Sequence, residues 1–468
     1  MSQRSGPPPI VYIILFLMLL GGGVYWFFFR QQTPISLPGG SGPISLPGMG
    51  GSEPISTGNR ALTPQPTAAK QAGITAMAAG NYAEAVQQFQ QSLQENRNDP
   101  EALIYLNNAR IGTQPAYTIA VIAPLSQALN PAEELMRGVA QAQNQVNQTG
   151  GINGVPLKVA IADDRNTADG AKRVAQALVK DSAIVGVVGH FGSEASLAAG
   201  PIYEAGQLVM ISPTSTSVAL SGVGNYVFRT VPSDKVTASA LSRYQVNQIR
   251  QPKAAIFFNS QSDYSQSLKN EFSTALLLDG GEVVAEIDLS AAGFNAAAQL
   301  QQAVQQGAQV LVLLSNTATL DPALQVVQVN QKQRPLLGGD SLYNIKLLDI
   351  GGENAAGMVV AVPWHILASP NSPFTAAARQ MWGADVNWRT AMAYDATQAL
   401  IVALGQGNPS RTGVQQALAQ SGFSTTGATG VIRFLPSGDR NAPVQLVRVV
   451  PGTRAGGQFE FAPIAAPN

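Results

Sequence analysis

Cysteine is missing from the 468 residues, and histidine occurs only at His190 and His365. The first absence excludes disulfides, thiol nucleophiles and cysteine-held zinc, and two histidines are too few for a histidine-rich metal site. Net charge is missing too, because 28 lysines and arginines balance 28 aspartates and glutamates. With neither a net field nor a basic stripe, nucleic acid is not an expected partner. No metal and no cofactor is expected. Absent cysteine also leaves the compartment to be read from the N-terminus. The length exceeds that of one compact domain and suits two or three.

What is present begins with an apolar run. Ile10 to Phe29 reads IVYIILFLMLLGGGVYWFFF, twenty residues without a charge, long enough to cross a hydrocarbon core of about 30 Å. Bulky aromatics and Arg30 follow it in place of a small-residue cleavage site. A transmembrane anchor over residues 1–30 is therefore expected, with a cleaved signal as the competing reading. Arg4 and the amino terminus against Arg30 give a weak bias that keeps the short tail cytoplasmic. Residues 31–66 carry PISLPGG, PISLPGM and PIST among glycine and serine, a composition that buries no core and reads as an extended tether.

From Thr67 to Gly112 small residues at Ala72, Ala76, Ala79 and Ala85 interleave with Tyr82, Phe89 and Leu93. These three- and four-residue steps predict close-packed antiparallel helices. Gly73, Gly80, Tyr82, Ala85 and Phe89 stand at the spacing of a tetratricopeptide repeat, which residues 67–112 resemble, although Arg97 replaces the proline expected near the end of the second helix. One repeat cannot stack a groove alone, so a helical spacer and a peptide-binding surface remain alternatives. Neither supplies pocket residues, and a chain beginning near Gln114 is expected to fold and bind unaided.

Beyond Tyr117 the short apolar runs YTIAVIAPL, LKVAIADD, AIVGVVGH and LVMIS alternate with helical stretches, the order of a parallel α/β sheet covered on both faces. In the first intervening helix Asn130 is the expected cap, Pro131 the first turn and Glu133 the capping-box partner. Leu135, Val139, Ala142 and Val146 form its buried stripe, and Gly150-Gly151 stops it. A second series, AAIFFNS, EVVAEIDL, VLVLLSN, PLLGGD and GMVVAVPW, implies a second lobe.

Ligands of open parallel sheets sit beyond the carboxyl ends of the strands. Ser193 of VVGHFGSEAS and the cluster SPTSTS, with Thr214, Ser215 and Thr216, both follow such strand ends. Together they suit one anion such as a carboxylate. A helix cap is the competing role for Ser193. Nucleophilic attack needs a base, and His190 stands too near in sequence to be the usual partner. The G-x-S-x-G elbow is absent as well. An enzyme is not expected.

The stretch from QTGGINGVPLKVAIADD through SPTSTSVAL looks like the first lobe of the type I periplasmic substrate-binding proteins of branched-chain amino-acid transporters. The similarity continues through YVFRTVPSD, AYDATQAL and GVIRFLPSGDR. It implies a two-lobed α/β fold, two parallel-sheet Rossmann-like lobes joined by a hinge, over residues 117–468. Lobe 1 would take about 117–240 and 366–428, and lobe 2 about 241–365 and 429–468. Carried over residue by residue, the resemblance gives Ser193 the ligand carboxylate and places Thr214 and Thr216 where the family fixes the α-amino and α-carboxylate groups. Tyr264 of NSQSDYSQSL matches a tyrosine that closes over the ligand, and Asp340 of LLGGD an acidic residue facing the ammonium. A surface turn and a helix cap are the competing roles of these two. Departures fall at Pro131 and near Thr317, where the family has aromatics. The implied function is extracytoplasmic capture of an amino acid or similar small carboxylate by lobe closure, and delivery to an ABC transporter permease. A membrane-tethered sensor with the same clamp is the alternative.

Overall fold

A computed structural model describes residues 55–464 apart from 407 and 455. The expected anchor and the PISLPGG and PISLPGM repeats lie outside the described residues. Among those described, no helix is long and apolar enough to cross a membrane.

Strand β1 (Ile55–Ser56) precedes α1 (Ala68–Ala78), α2 (Tyr82–Glu95) and α3 (Pro100–Ile111). Lobe 1 then runs β2 (Tyr117–Ile122), α4 (Leu129–Gln148), β3 (Leu157–Ala162), α5 (Ala168–Lys180), β4 (Ile184–Val188), α6 (Ser193–Ala205), β5 (Met210–Ser212) and β6 (Val227–Arg229). Lobe 2 follows with α7 (Asp234–Tyr244), β7 (Lys253–Phe258), α8 (Asp263–Leu278), β8 (Glu282–Asp288), α9 (Ala296–Gln305), β9 (Val310–Leu314), α10 (Leu320–Asn330), β10 (Leu336–Gly338) and β11 (Val359–Val362). The chain returns to lobe 1 with α11 (Pro373–Trp382), α12 (Trp388–Gly405), α13 (Arg411–Ala419) and the hairpin β12 (Thr425–Gly427) and β13 (Gly430–Ile432). It ends in lobe 2 with β14 (Gln445–Pro451) and β15 (Phe459–Pro463).

The first sheet has the order β1-β3-β2-β4-β5-β6 and the second β15-β14-β11-β10-β9-β7-β8. Parallel strands dominate both, with β1, β14 and β15 antiparallel to their neighbours. Residues of β2, β4 and β9 are buried in near-continuous runs, as strands covered by helices on both faces must be. Because α7 packs on α8, the first crossing between lobes lies at residues 230–233. In α4 the buried stripe Leu135, Val139 and Ala142 is as expected. The helix starts earlier than the expected cap, with Ala128 at the cap position and Asn130 already inside it. A Cβ on Gly138 would stand 2.2 Å from Thr390 O, so only glycine lets α4 and α12 cross this closely.

The family-like motifs meet one another at the crossings. Arg229 of YVFRTVPSD, 1 % exposed, donates from Nε to Asp439 of GVIRFLPSGDR at 2.6 Å. Arg440 beside it pairs with Asp395 of AYDATQAL at 2.8 Å. A buried charge is costly unless it is paired, so these pairs tie the crossing segments together.

The N-terminal helices pack against lobe 1, on α4 and the edge strand β3. Thr67, Asn81 and Asp99 cap them. A Cβ on Gly73 would come within 2.7 Å of the Phe89 ring, which explains the glycine of the repeat-like spacing. Strand β1 pairs with the edge strand β3, Ile55 opposite Ala162 and Ser56 opposite Ile161. Where β1 ends, Asn108 takes over: its Nδ2 donates to Val159 O at 2.7 Å and its Oδ1 accepts from Val159 N at 3.1 Å. One side-chain amide thus imitates a neighbouring strand and closes the sheet edge. Ile104 and Tyr105 are fully buried, as is Glu101, which pairs with Lys70 at 2.6 Å.

Candidate functional site

The lobes face each other across a cavity of about 60 Å³, room for roughly four waters. Lobe 1 presents the start of α6. Gly192 occupies the cap position and makes no side-chain cap, and Ser193 is the first helical residue. The serine is therefore not the helix cap. Its Oγ accepts from Ser217 N at 3.3 Å and the residue lines the cavity, 2 % exposed. A Cβ on Gly192 would stand 2.3 Å from Asn166 Oδ1, so glycine keeps this approach open. Free amides at a helix start attract anions. Thr214 lines the same wall and donates from Oγ1 to Phe191 O at 2.7 Å. Ser215 and Thr216 do not line it. Ser215 turns back to Ser196 Oγ at 2.7 Å, and Thr216 is buried.

Lobe 2 presents Tyr264, in the first turn of α8, and Asp340, just after β10. The Tyr264 hydroxyl donates to Asp340 Oδ1 at 2.5 Å. A Cβ on Gly339 would come within 2.7 Å of that hydroxyl, which accounts for the GGD sequence. Both residues line the cavity, so Tyr264 is no surface turn, and the cap of α8 is Ser262. Burial pushes the Asp340 carboxyl above its ordinary range, while the Tyr264 hydroxyl and the Arg389 charge pull it back. Burial and the nearby Asp340 carboxylate hold Tyr264 well above its usual value. Asn316 and Thr317 complete this wall. His190 offers Ser193 no base, because Asp164 Oδ2 at 2.6 Å and Tyr203 OH at 3.0 Å occupy both ring nitrogens.

A family profile for the periplasmic binding protein matches residues 116–457. The chain belongs to the periplasmic binding protein family. An amino acid binding protein of Pseudomonas aeruginosa is 32% identical over 137 residues, 29% of this chain and 36% of that one. The match thus spans about a third of that relative. A leucine-, isoleucine-, valine-, threonine-, and alanine-binding protein of the same organism is 24% identical over 327 residues, 69% of this chain and 86% of that one. Among solved structures, an ABC transporter substrate-binding protein from Desulfitobacterium hafniense in complex with leucine superposes with a TM-score of 0.62 at 24% identity, over 74% of this chain and all of that one. The two-lobed fold is shared.

In this periplasmic binding protein the cleft also holds two residues that sequence reasoning missed, Trp388 and Arg389 at the start of α12. The Arg389 guanidinium lies 4.4 Å from the Trp388 ring and 6.0 Å from that of Phe191, and Nη1 donates to Tyr343 O at 3.2 Å. The one available signal was a charged residue in the first turn of the AYDATQAL helix, just after its Asn387 cap. A larger cavity of about 320 Å³ is lined by Tyr343, His365, Asp385, Arg454 and Glu460 among others. Its charges are already matched: Arg379 and Arg454 hold Asp385, and Arg454 also meets Glu460. The smaller inter-lobe cavity is the candidate site.

Proposed function

We propose that this chain is an extracytoplasmic solute-binding protein that captures an amino acid or similar small carboxylate by hinged closure of its lobes and delivers it to an ABC transporter permease. The observation that carries the reading is the inter-lobe cavity, where the α6 hydroxyl and amides face Tyr264 and Asp340. In this reading Ser193 and the free amides at the start of α6 hold the carboxylate, Thr214 lines the wall with its hydroxyl tied to the Phe191 carbonyl, Asp340 faces the ammonium, and Tyr264 orients Asp340 through its hydrogen bond. Ser215 and Thr216 shape the loop from behind. The amino-acid binding named for the relatives supports this assignment of ligand class. Residues 10–29 anchor the protein in the plasma membrane, and the tetratricopeptide-like helices brace lobe 1. The test is mass spectrometry of ligand retained by gently purified full-length protein, with small-angle scattering on a panel of amino acids and small carboxylates. A retained amino acid or carboxylate that also compacts the protein is expected. No retained ligand and an unchanged radius of gyration across the panel would refute the reading.

A further inference from the structure

Arg389 is 5 % exposed, and a guanidinium does not lose its charge in a protein. The Asp340 and Glu134 charges act on it from a distance, but no carboxylate among the described residues forms a direct ion pair with it. Its only acceptor there is the Tyr343 carbonyl, and its buried Nε has none. The neighbouring Trp388 likewise holds a buried indole N–H without an acceptor. Two adjacent cavity-lining residues thus carry donors that the protein leaves unmatched, an arrangement that disfavours the empty state. The rest of the wall agrees. The apolar surface of the cavity is limited to the rings of Phe191, Tyr264 and Trp388; no aliphatic side chain lines it, and Asn166, Asn316, Thr317 and Ser341 complete the wall. An apolar ligand side chain would leave the guanidinium buried without a direct anionic partner. Glu194, the other acidic lining residue, is half-buried and forms no ion pair with Arg389.

We propose that Arg389, with Trp388, receives a second anionic group of the ligand, so that the cleft prefers a compact acidic amino acid to a branched-chain one. The inference rests on the binding-protein reading, which leaves Arg389 unused: α6 takes one carboxylate and Asp340 the ammonium. A second carboxylate then completes the matching of charge to charge.

Calorimetry of the detergent-purified full chain with L-glutamate, L-glutamine and L-leucine tests it. Glutamate should bind roughly ten- to a hundred-fold more tightly than glutamine, the worth of hydrogen bonds to a charged group. Arg389→Met should remove that preference, and Arg389→Lys should keep part of it. The wild-type ratio needs no variant, so a misfolded substitution does not rescue the proposal. If leucine or glutamine binds as well as glutamate, the acidic-ligand inference fails and the binding-protein reading stands. If none of the three binds and none compacts the protein, the inference fails together with the assignment of the pocket to amino acids.

Discussion

Replacing Asp234 by Asn tests the electrostatics of the first crossing. Asp234 opens α7, its amide N–H on Thr216 O at 2.8 Å, and the residue is 1 % exposed. Burial pushes its carboxyl up to about 7, with Asp340 adding to the effect while the Ser267 and Thr216 hydroxyls and Arg229 oppose it. An unfolded chain would release that proton near 3.8. Between these values the folded form holds a proton that the unfolded form lacks, so stability falls as pH rises from about 4 to about 7. Above this window the buried carboxylate disfavours the fold by on the order of 4 kcal/mol. Asparagine keeps the shape and does not titrate. Urea unfolding of wild type and Asp234→Asn should therefore give a difference within about 1 kcal/mol near pH 4 and a more stable variant, by a few kcal/mol, near pH 8. His365 acts in the opposite sense. Burial and the nearby Arg454 charge lower it from 6.5 to about 4, so stability is lost as pH falls through that interval. Being common to both proteins, that effect cancels in the difference. Parallel stability curves from pH 5 to 8 would show that Asp234 is already relieved of its charge penalty.

Ser193→Ala should weaken ligand binding by roughly ten- to a hundred-fold, read by calorimetry, with little change in unfolding temperature, since the serine is not the helix cap. Asp340→Asn should bind weakly and lose ligand-induced compaction in small-angle scattering; normal compaction at full affinity would remove the ammonium from its proposed partner. Deleting residues before Gln114 should give an unstable or aggregating protein by chromatography and thermal melting, because the edge of β3 and the surface under α3 become exposed. A monomeric deletion variant with a wild-type melt would show that the helices only decorate lobe 1. The full chain should resist carbonate extraction and retain its own N-terminus, and recovery of a soluble form starting near residue 31 would refute the anchor.

The strands were legible in the sequence because β2, β4 and β9 are almost wholly apolar, a pattern that few alternatives produce. The helical hairpin was legible because Gly73 and Phe89 must sit in contact. What stayed hidden depends on pairs far apart in the chain. Strand β1 is two residues long and lies in a segment that reads as tether, and only its partner β3 makes it a strand. Nothing local marks Asn108 as a stand-in for a strand neighbour. SPTSTS looked like one hydroxyl face, but the turn sends Thr214 to the cavity and Ser215 inward. Arg389 arrives on a helix that returns from lobe 2, so no motif around Ser193 announces it.

The sheet order separates the two roles of lobe 1. The N-terminal helices close the β1-β3 side, whereas Ser193 and Thr214 follow β4 and β5, strands nearer the crossing at β6. Damage at Asn108 therefore exposes the edge of β3 without touching the Ser193 wall of the cavity. Damage at Arg229 is different in kind. Its guanidinium takes Ser217 O at 2.7 Å as well as Asp439, and Ser217 N is the donor to Ser193 Oγ. One ion pair, buried on its Arg229 side, thus joins the crossing segment to the Ser193 wall through a single residue. Under the proposed closure, a change of lobe angle would reach the Ser193 hydroxyl through Arg229 and Ser217 alone, with no long-range network.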